Sequence, residues 1–214
     1  MTLSPNEAQS TADMTATLGH VEKDIQPRID EKAIPSKPLP GDPPEDRSVQ
    51  SMIRVDHAGE YGAGRIYAGQ LAVLGDRHPK APMIRHMKAQ EDVHLERFNK
   101  IVAERGVRPT ALTPFWDAAG FALGAATALI GEKAAMACTD AVETVIDEHY
   151  QEQLDALGDK DPELTSMIEQ FQAEEVEHRE IAKEHGSEQA VAYPLLSGAI
   201  KAGCRAAIWL AKRV

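Results

Sequence analysis

Glu91-Asp-Val-His94 and Glu175-Val-Glu-His178 each set a glutamate three residues ahead of a histidine. Each also trails a lone upstream glutamate at a similar distance: Glu60 lies 31 residues before Glu91, and Glu143 lies 32 before Glu175. Residues three apart on a helix share a face, so each Glu/His pair converges on one point if the chain there is helical. The surrounding sequence is helical in pattern. Apolar residues recur with a 3.6-like period, and alanine, the best helix former, is plentiful.

The spacing predicts helices over about 49–75, 80–105, 133–158, 161–186 and 194–212. Breakers separate them: Gly75-Asp-Arg-His-Pro79, Gly106-Val-Arg-Pro109, Gly158-Asp-Lys-Asp-Pro162 and Gly186-Ser187. The short gaps after the first and third helices make two antiparallel hairpins, with a longer connection over about 106–132. In each hairpin the lone glutamate then sits at the depth of the Glu-x-x-His pair. Packed as a four-helix bundle, the two hairpins present Glu60, Glu91, His94, Glu143, Glu175 and His178 to one interior site. This is the donor set of di-iron carboxylate proteins. Four carboxylates in a low-dielectric interior repel one another, and two divalent cations offset their charge. Oxygen and imidazole donors without thiolate suit iron or manganese.

One Glu-x-x-His in an acidic helix is weak evidence, because a solvated face produces the same pattern. Repetition, each time with its upstream glutamate, makes the metal reading the stronger one. Glu174, Glu177 and Glu180 are expected on the solvated face, and His20, His78, His86 and His185 on the surface. Asp56 and His57, four and three residues before Glu60, are candidates to orient the ligands. His149 and Tyr150, six and seven residues after Glu143, lie close to its face of the helix.

The rest of the chain bounds the function. It has 214 residues with 34 acidic and 23 basic side chains, a net charge of −11 that argues against nucleic acid as a partner. Cys138 and Cys204 make neither a disulfide framework nor a Cys-x-x-Cys site and are expected as reduced thiols. Residues 1–48 are expected to be a disordered tail ahead of a folded domain at 49–214. The first fifty residues hold 7 of the 13 prolines and none of the aromatics. They resemble neither a secretory signal nor a transit peptide, which leaves the cytoplasm. The uncharged run Ala118–Gly131 is too short to cross a bilayer, which takes about 20 residues. It reads either as a helix packed on the bundle or as an interfacial segment, with Phe115 and Trp116 at its edge. The last helix is basic (Lys201, Arg205, Lys212, Arg213) with an apolar stripe through Leu196, Ala199, Gly203, Ala207 and Leu210. It can lie on an anionic membrane or dock on the bundle.

The stretch Arg54-Val-Asp-His-Ala-Gly-Glu-Tyr-Gly-Ala63 resembles the opening motif of the demethoxyubiquinone hydroxylases of ubiquinone biosynthesis. So do Arg108-Pro-Thr110, Gly120-Phe-Ala-Leu-Gly-Ala125, Ala135-Met-Ala-Cys-Thr139, Ala141-Val-Glu143, His149-Tyr150 and Ala202-Gly-Cys-Arg205. The resemblance covers roughly residues 50–214. It implies an all-α, ferritin-like four-helix bundle of two hairpins with an apolar crossover and a C-terminal amphipathic helix. It further implies a monooxygenase with two irons on the six residues above, O2 as co-substrate and a polyprenylated quinol as substrate. A redox-relay role for Tyr150, with His149 beside it, follows from the same likeness. So does peripheral attachment, here to the cytoplasmic face of the inner (cell) membrane, with other proteins of ubiquinone biosynthesis as possible partners. Glu143 and Glu175 are the expected bridges between the metals. The competing reading on the same cage is iron storage or peroxide breakdown of ferritin or rubrerythrin type. No nucleotide- or flavin-binding fingerprint is visible, so electrons must come from outside the chain or through the quinol.

Overall fold

The computed structural model describes residues 47–214, and the regular elements among them are all helices. Six helices follow in order: α1 (Arg47–Leu74), α2 (Ala81–Glu104), α3 (Thr113–Ile130), α4 (Glu132–Leu157), α5 (Pro162–Glu184) and α6 (Tyr193–Ala211). A single 3₁₀ turn, Ser187–Gln189, precedes α6. The tail expected over 1–48 falls outside the described residues except for Arg47 and Ser48, which are already helical; His20 also lies outside them.

Helix ends fall where the breakers predict. Gly158 closes α4 at a φ of 50°, a left-handed conformation that a side chain would strain, and Asp161 then caps α5 by accepting from the Leu164 amide at 3.1 Å. α1 packs on α2 and α4 on α5, forming the two hairpins. One apolar cluster fills the end of the bundle around Ile53, Phe98, Tyr150, Ile168 and Phe171. A second, around Tyr67, Ile84, Met87 and Met136, fills the other end.

The crossover departs from the expected uncharged run: its helix starts earlier, at Thr113, where Pro114 occupies the first turn. α3 lies along α1 at unusually close range. A Cβ on Gly124 would sit 1.9 Å from the Ile66 carbonyl oxygen, and one on Gly69 would sit 2.2 Å from that of Phe121. Phe115, Leu129 and Ile130 nonetheless remain exposed, so both readings of this segment hold in part. α6 docks through Leu196, Ile200 and Cys204 onto α4, pinned where Tyr193 and Ser187 donate to Asp140 at 2.7 and 3.0 Å. Leu195 and Trp209 stay exposed. No helix among the described residues is long and apolar enough to cross a membrane.

Candidate metal centre

Glu60 on α1, Glu91 and His94 on α2, Glu143 on α4, and Glu175 and His178 on α5 meet between the two apolar clusters, all of them buried. Their donor atoms form two overlapping groups, each within 4.8 Å: Glu60, Glu91, His94 and Glu175, and Glu91, Glu143, Glu175 and His178. Glu91 and Glu175 belong to both groups, while Glu143, expected as a bridge, belongs to one. His94 Nδ1 lies 3.2 Å from Glu60 and 3.1 Å from Glu175; His178 Nδ1 lies 3.2 Å from Glu91 and 3.0 Å from Glu175. Burial pushes the Glu91 and Glu143 carboxyls well above the usual range, and the neighbouring Glu175 charge adds to it. Burial acts on Glu175 too, but hydrogen bonds from His178 and His94 overcome it and hold that carboxyl low.

The donor set fits a metal pair. Both oxygens of Glu91 and one of Glu143 are buried with no hydrogen-bond partner. A fold rarely leaves so many buried acceptors unspent, and cations are what would use them.

The neighbours of the cage repeat with the hairpins. Tyr67, seven residues after Glu60, donates to Glu143 at 2.8 Å. Tyr150, seven residues after Glu143, donates back to Glu60. On the outer side, His178 Nε2 donates to Gln90 at 3.0 Å and His94 Nε2 bonds Glu174 at 2.9 Å. Gln90 and Glu174 each precede the glutamate of a Glu-x-x-His pair and reach across to the other pair's histidine. Such partners fix the ring so that Nδ1 points into the cage. Phe171 stacks on His94 at 3.9 Å between centroids.

Three expectations need correction. Glu174, placed on the solvated face, is a histidine partner instead, because its helix is turned so that only Glu177 and Glu180 point fully outward. Asp56 and His57 bond not to a ligand but to Gln153 and Asn99, at 2.6 and 2.9 Å. His78 is only half-buried against Glu132, whereas His86 and His185 are exposed. Tyr67 and Gln90 carried a signal that the motif alone does not use: each has a counterpart at the same offset in the other hairpin.

On the α1/α4 side, an apolar cavity of about 560 Å³ opens among α1, α3, α4 and α6, lined by residues that include Gly62, Trp116, Leu123, Val145 and Gly203. A smaller neck shares Val55, Gly59, Ile146 and Ile208 with it and adds Asp56, Glu60, His149 and Tyr150 to its lining. The neck thus borders both the apolar cavity and Glu60, a carboxylate of the cage. Burial, with the Lys212 charge, pushes His149 down to about 4, so its ring is neutral near pH 7. Burial pushes Asp56 up, and the hydrogen bond from Gln153 works against that rise.

A helical bundle whose interior gathers four glutamates and two histidines into overlapping metal-binding groups defines a ferritin-like carboxylate protein. Within that class the chain belongs to the family described as Ubiquinone biosynthesis protein COQ7, whose model matches residues 47–211. The 3-demethoxyubiquinol 3-hydroxylase of Rhodospirillum rubrum is 57% identical over 176 residues, covering 82% of this chain and 83% of its own. The human NADPH-dependent 3-demethoxyubiquinone 3-hydroxylase, mitochondrial, is 52% identical over 171 residues, 78% of each chain. The yeast 5-demethoxyubiquinone hydroxylase, mitochondrial, is 48% identical over 182 residues, again 78% of each.

Proposed function

We propose that this protein hydroxylates a polyprenylated demethoxyubiquinol with O2, using two irons held by Glu60, Glu91, His94, Glu143, Glu175 and His178. The observation that carries the reading is that the apolar cavity and the neck share lining residues and that Glu60 of the cage lines the neck. A prenyl tail suits the cavity, whose walls are almost wholly apolar, and the ring then lies in the neck beside Glu60. Glu91 and Glu175, common to both donor groups, are the candidates to bridge the metals. An iron pair held there would, once given two electrons by an external donor or by the quinol, supply the reduction of O2 in which one oxygen atom goes to the ring and the other leaves as water. The chain's own residues orient and shield. Tyr67 and Tyr150 hold Glu143 and Glu60 from opposite sides, Gln90 and Glu174 hold the two imidazoles, and the apolar walls keep water from the reacting centre. Tyr150, in contact with Glu60 and lining the neck, is placed to touch both cage and ring. His149, neutral beside it, serves as a polar contact rather than an acid at neutral pH.

Exposed Phe115, Leu129 and Ile130 on α3, and Leu195 and Trp209 on α6, support docking on a membrane, the source of so oily a substrate. We place it at the cytoplasmic face of the inner membrane. Nothing in the cage favours iron storage over this reading, and the relatives compared are named as hydroxylases.

The test is direct. Purified protein should contain about two irons per chain and convert demethoxyubiquinol to the hydroxylated quinol under O2 with an added electron donor, read by mass spectrometry. Glu60→Ala and His178→Ala should lose both iron and turnover. Cells lacking the protein should accumulate demethoxyubiquinone; unchanged quinones would reject the assignment.

A further inference from the structure

The two hairpins are near-copies around the cage, and the places where the copy fails are informative. Ten residues after each lone glutamate stands a glutamine, Gln70 or Gln153, and each turns back to the residue four before the other hairpin's glutamate. Gln70 reaches Thr139 at 3.4 Å, whereas Gln153 donates to Asp56 Oδ1 at 2.6 Å. A neutral hydroxyl thus serves in one half where the other half carries a carboxylate. The substitution is not cheap for the fold. The Asp56 side chain is 1% exposed, and its second oxygen, Oδ2, is buried without any hydrogen-bond partner. Six residues after the lone glutamates the copy fails again, with Ile66 in one half and His149 in the other. Both polar departures, Asp56 and His149, line the neck.

Taking the quinol reading above as its basis, we propose that Asp56 Oδ2 accepts a hydroxyl of the bound quinol ring, so that the neck selects the reduced ring over the oxidised quinone. A quinol offers O–H donors and a quinone only carbonyl acceptors, so a carboxylate oxygen favours the first and repels the second. Burial favours the neutral acid here, and the hydrogen bond from Gln153 to Oδ1 is what works for the ionised acceptor. Gln153 fixes the group. One amide hydrogen goes to Asp56 Oδ1 and the other to His149 Nε2 at 2.8 Å, which leaves Oδ2 as the unused acceptor. The other charged groups acting on Asp56 are Glu60, which opposes its charge, and Lys212, which favours it; His149 stands 3.7 Å away and neutral. Asp56 precedes Glu60 by four residues, about 6 Å along the helix, roughly the width of one ring between the anchored hydroxyl and the cage.

The experiment compares wild type with Asp56→Asn, which keeps the acceptor for Gln153 and turns Oδ2 into a donor. A demethoxyquinol bearing one prenyl unit and its quinone are titrated anaerobically into the iron-bearing proteins. Wild type should bind the quinol more tightly. In Asp56→Asn the ratio of quinone to quinol dissociation constants should fall at least tenfold, with iron content unchanged. A ratio within twofold of wild type overturns the proposal. Should Asp56→Asn fail to fold, Asp56→Thr, the residue of the matching half, is expected to fold and lose the same preference, and retention of the preference again overturns it. Failure of wild type to hydroxylate the quinol at all would instead strike the reading beneath.

Discussion

Glu174 and Gln90 perform one task with different chemistry, since each holds an imidazole across the cage. An amide is therefore sufficient at this place. Glu174→Gln should retain iron within a few-fold of wild type, while Glu174→Ala should weaken iron binding by about 10–100-fold, measured by competition with a chelator. Equal losses in both variants would show that charge, not orientation, is what Glu174 contributes. The raised Glu91 and Glu143 carboxyls set a pH dependence. A carboxyl whose folded value lies above its ordinary 4.5 stabilises the fold at pH below that value and destabilises it as pH rises through the folded one. Glu175, held low, contributes in full above the same 4.5 and offsets none of that further fall. Thermal unfolding of metal-free protein should accordingly drop as pH is raised above 4.5. Protein loaded with iron should not show the drop, because cations take over the role of the protons.

At the scale of helices, the contact of α3 with α1 depends on the absence of side chains. Gly124→Ala forces a methyl group to within 1.9 Å of the Ile66 carbonyl, and neither backbone can yield without moving its helix. A loss of about 1–3 kcal/mol is expected from such overpacking, visible as a lowered midpoint in urea. Gly62, on the same face of the problem, behaves oppositely: a Cβ there meets nothing within 4 Å. Gly62→Ala should stabilise by up to about 1 kcal/mol through helix propensity alone. The elements themselves were legible beforehand. Five of six helices lie within about two residues of their expected bounds, since Gly and Pro punctuate strongly periodic segments. The early start of α3 was not legible as part of the uncharged run, because Thr113 to Asp117 mixes Pro, aromatics and a charge. Only packing on α1 makes a helix of it.

Across the whole molecule, Gly59, Gly62 and Gly203 face open space and line the cavity, so three interior helix positions forgo side chains where a chamber is kept clear. Gly62→Leu should fill part of it. We expect the fold and iron content to survive and the KM for a long-tailed quinol to rise at least several-fold, with a single-prenyl substrate little affected. Equal effects on both substrates would mean that the tail lies elsewhere.

The local sequence determined the helices, the two-hairpin repeat and the six cage residues, because helical spacing is a property of neighbours in the chain and a doubled pattern is hard to produce by accident. Tertiary structure alone decided which partners hold the cage, which carboxylates are shared between donor groups, and that α3 and α6 cover a cavity beside a neck lined by Asp56 and Glu60. Those features join residues far apart in the chain, as in the bond from Gln153 to Asp56 across 97 positions. Which side chains meet at that range depends on how each helix is rotated about its axis, and that rotation is set by the packing of all six together.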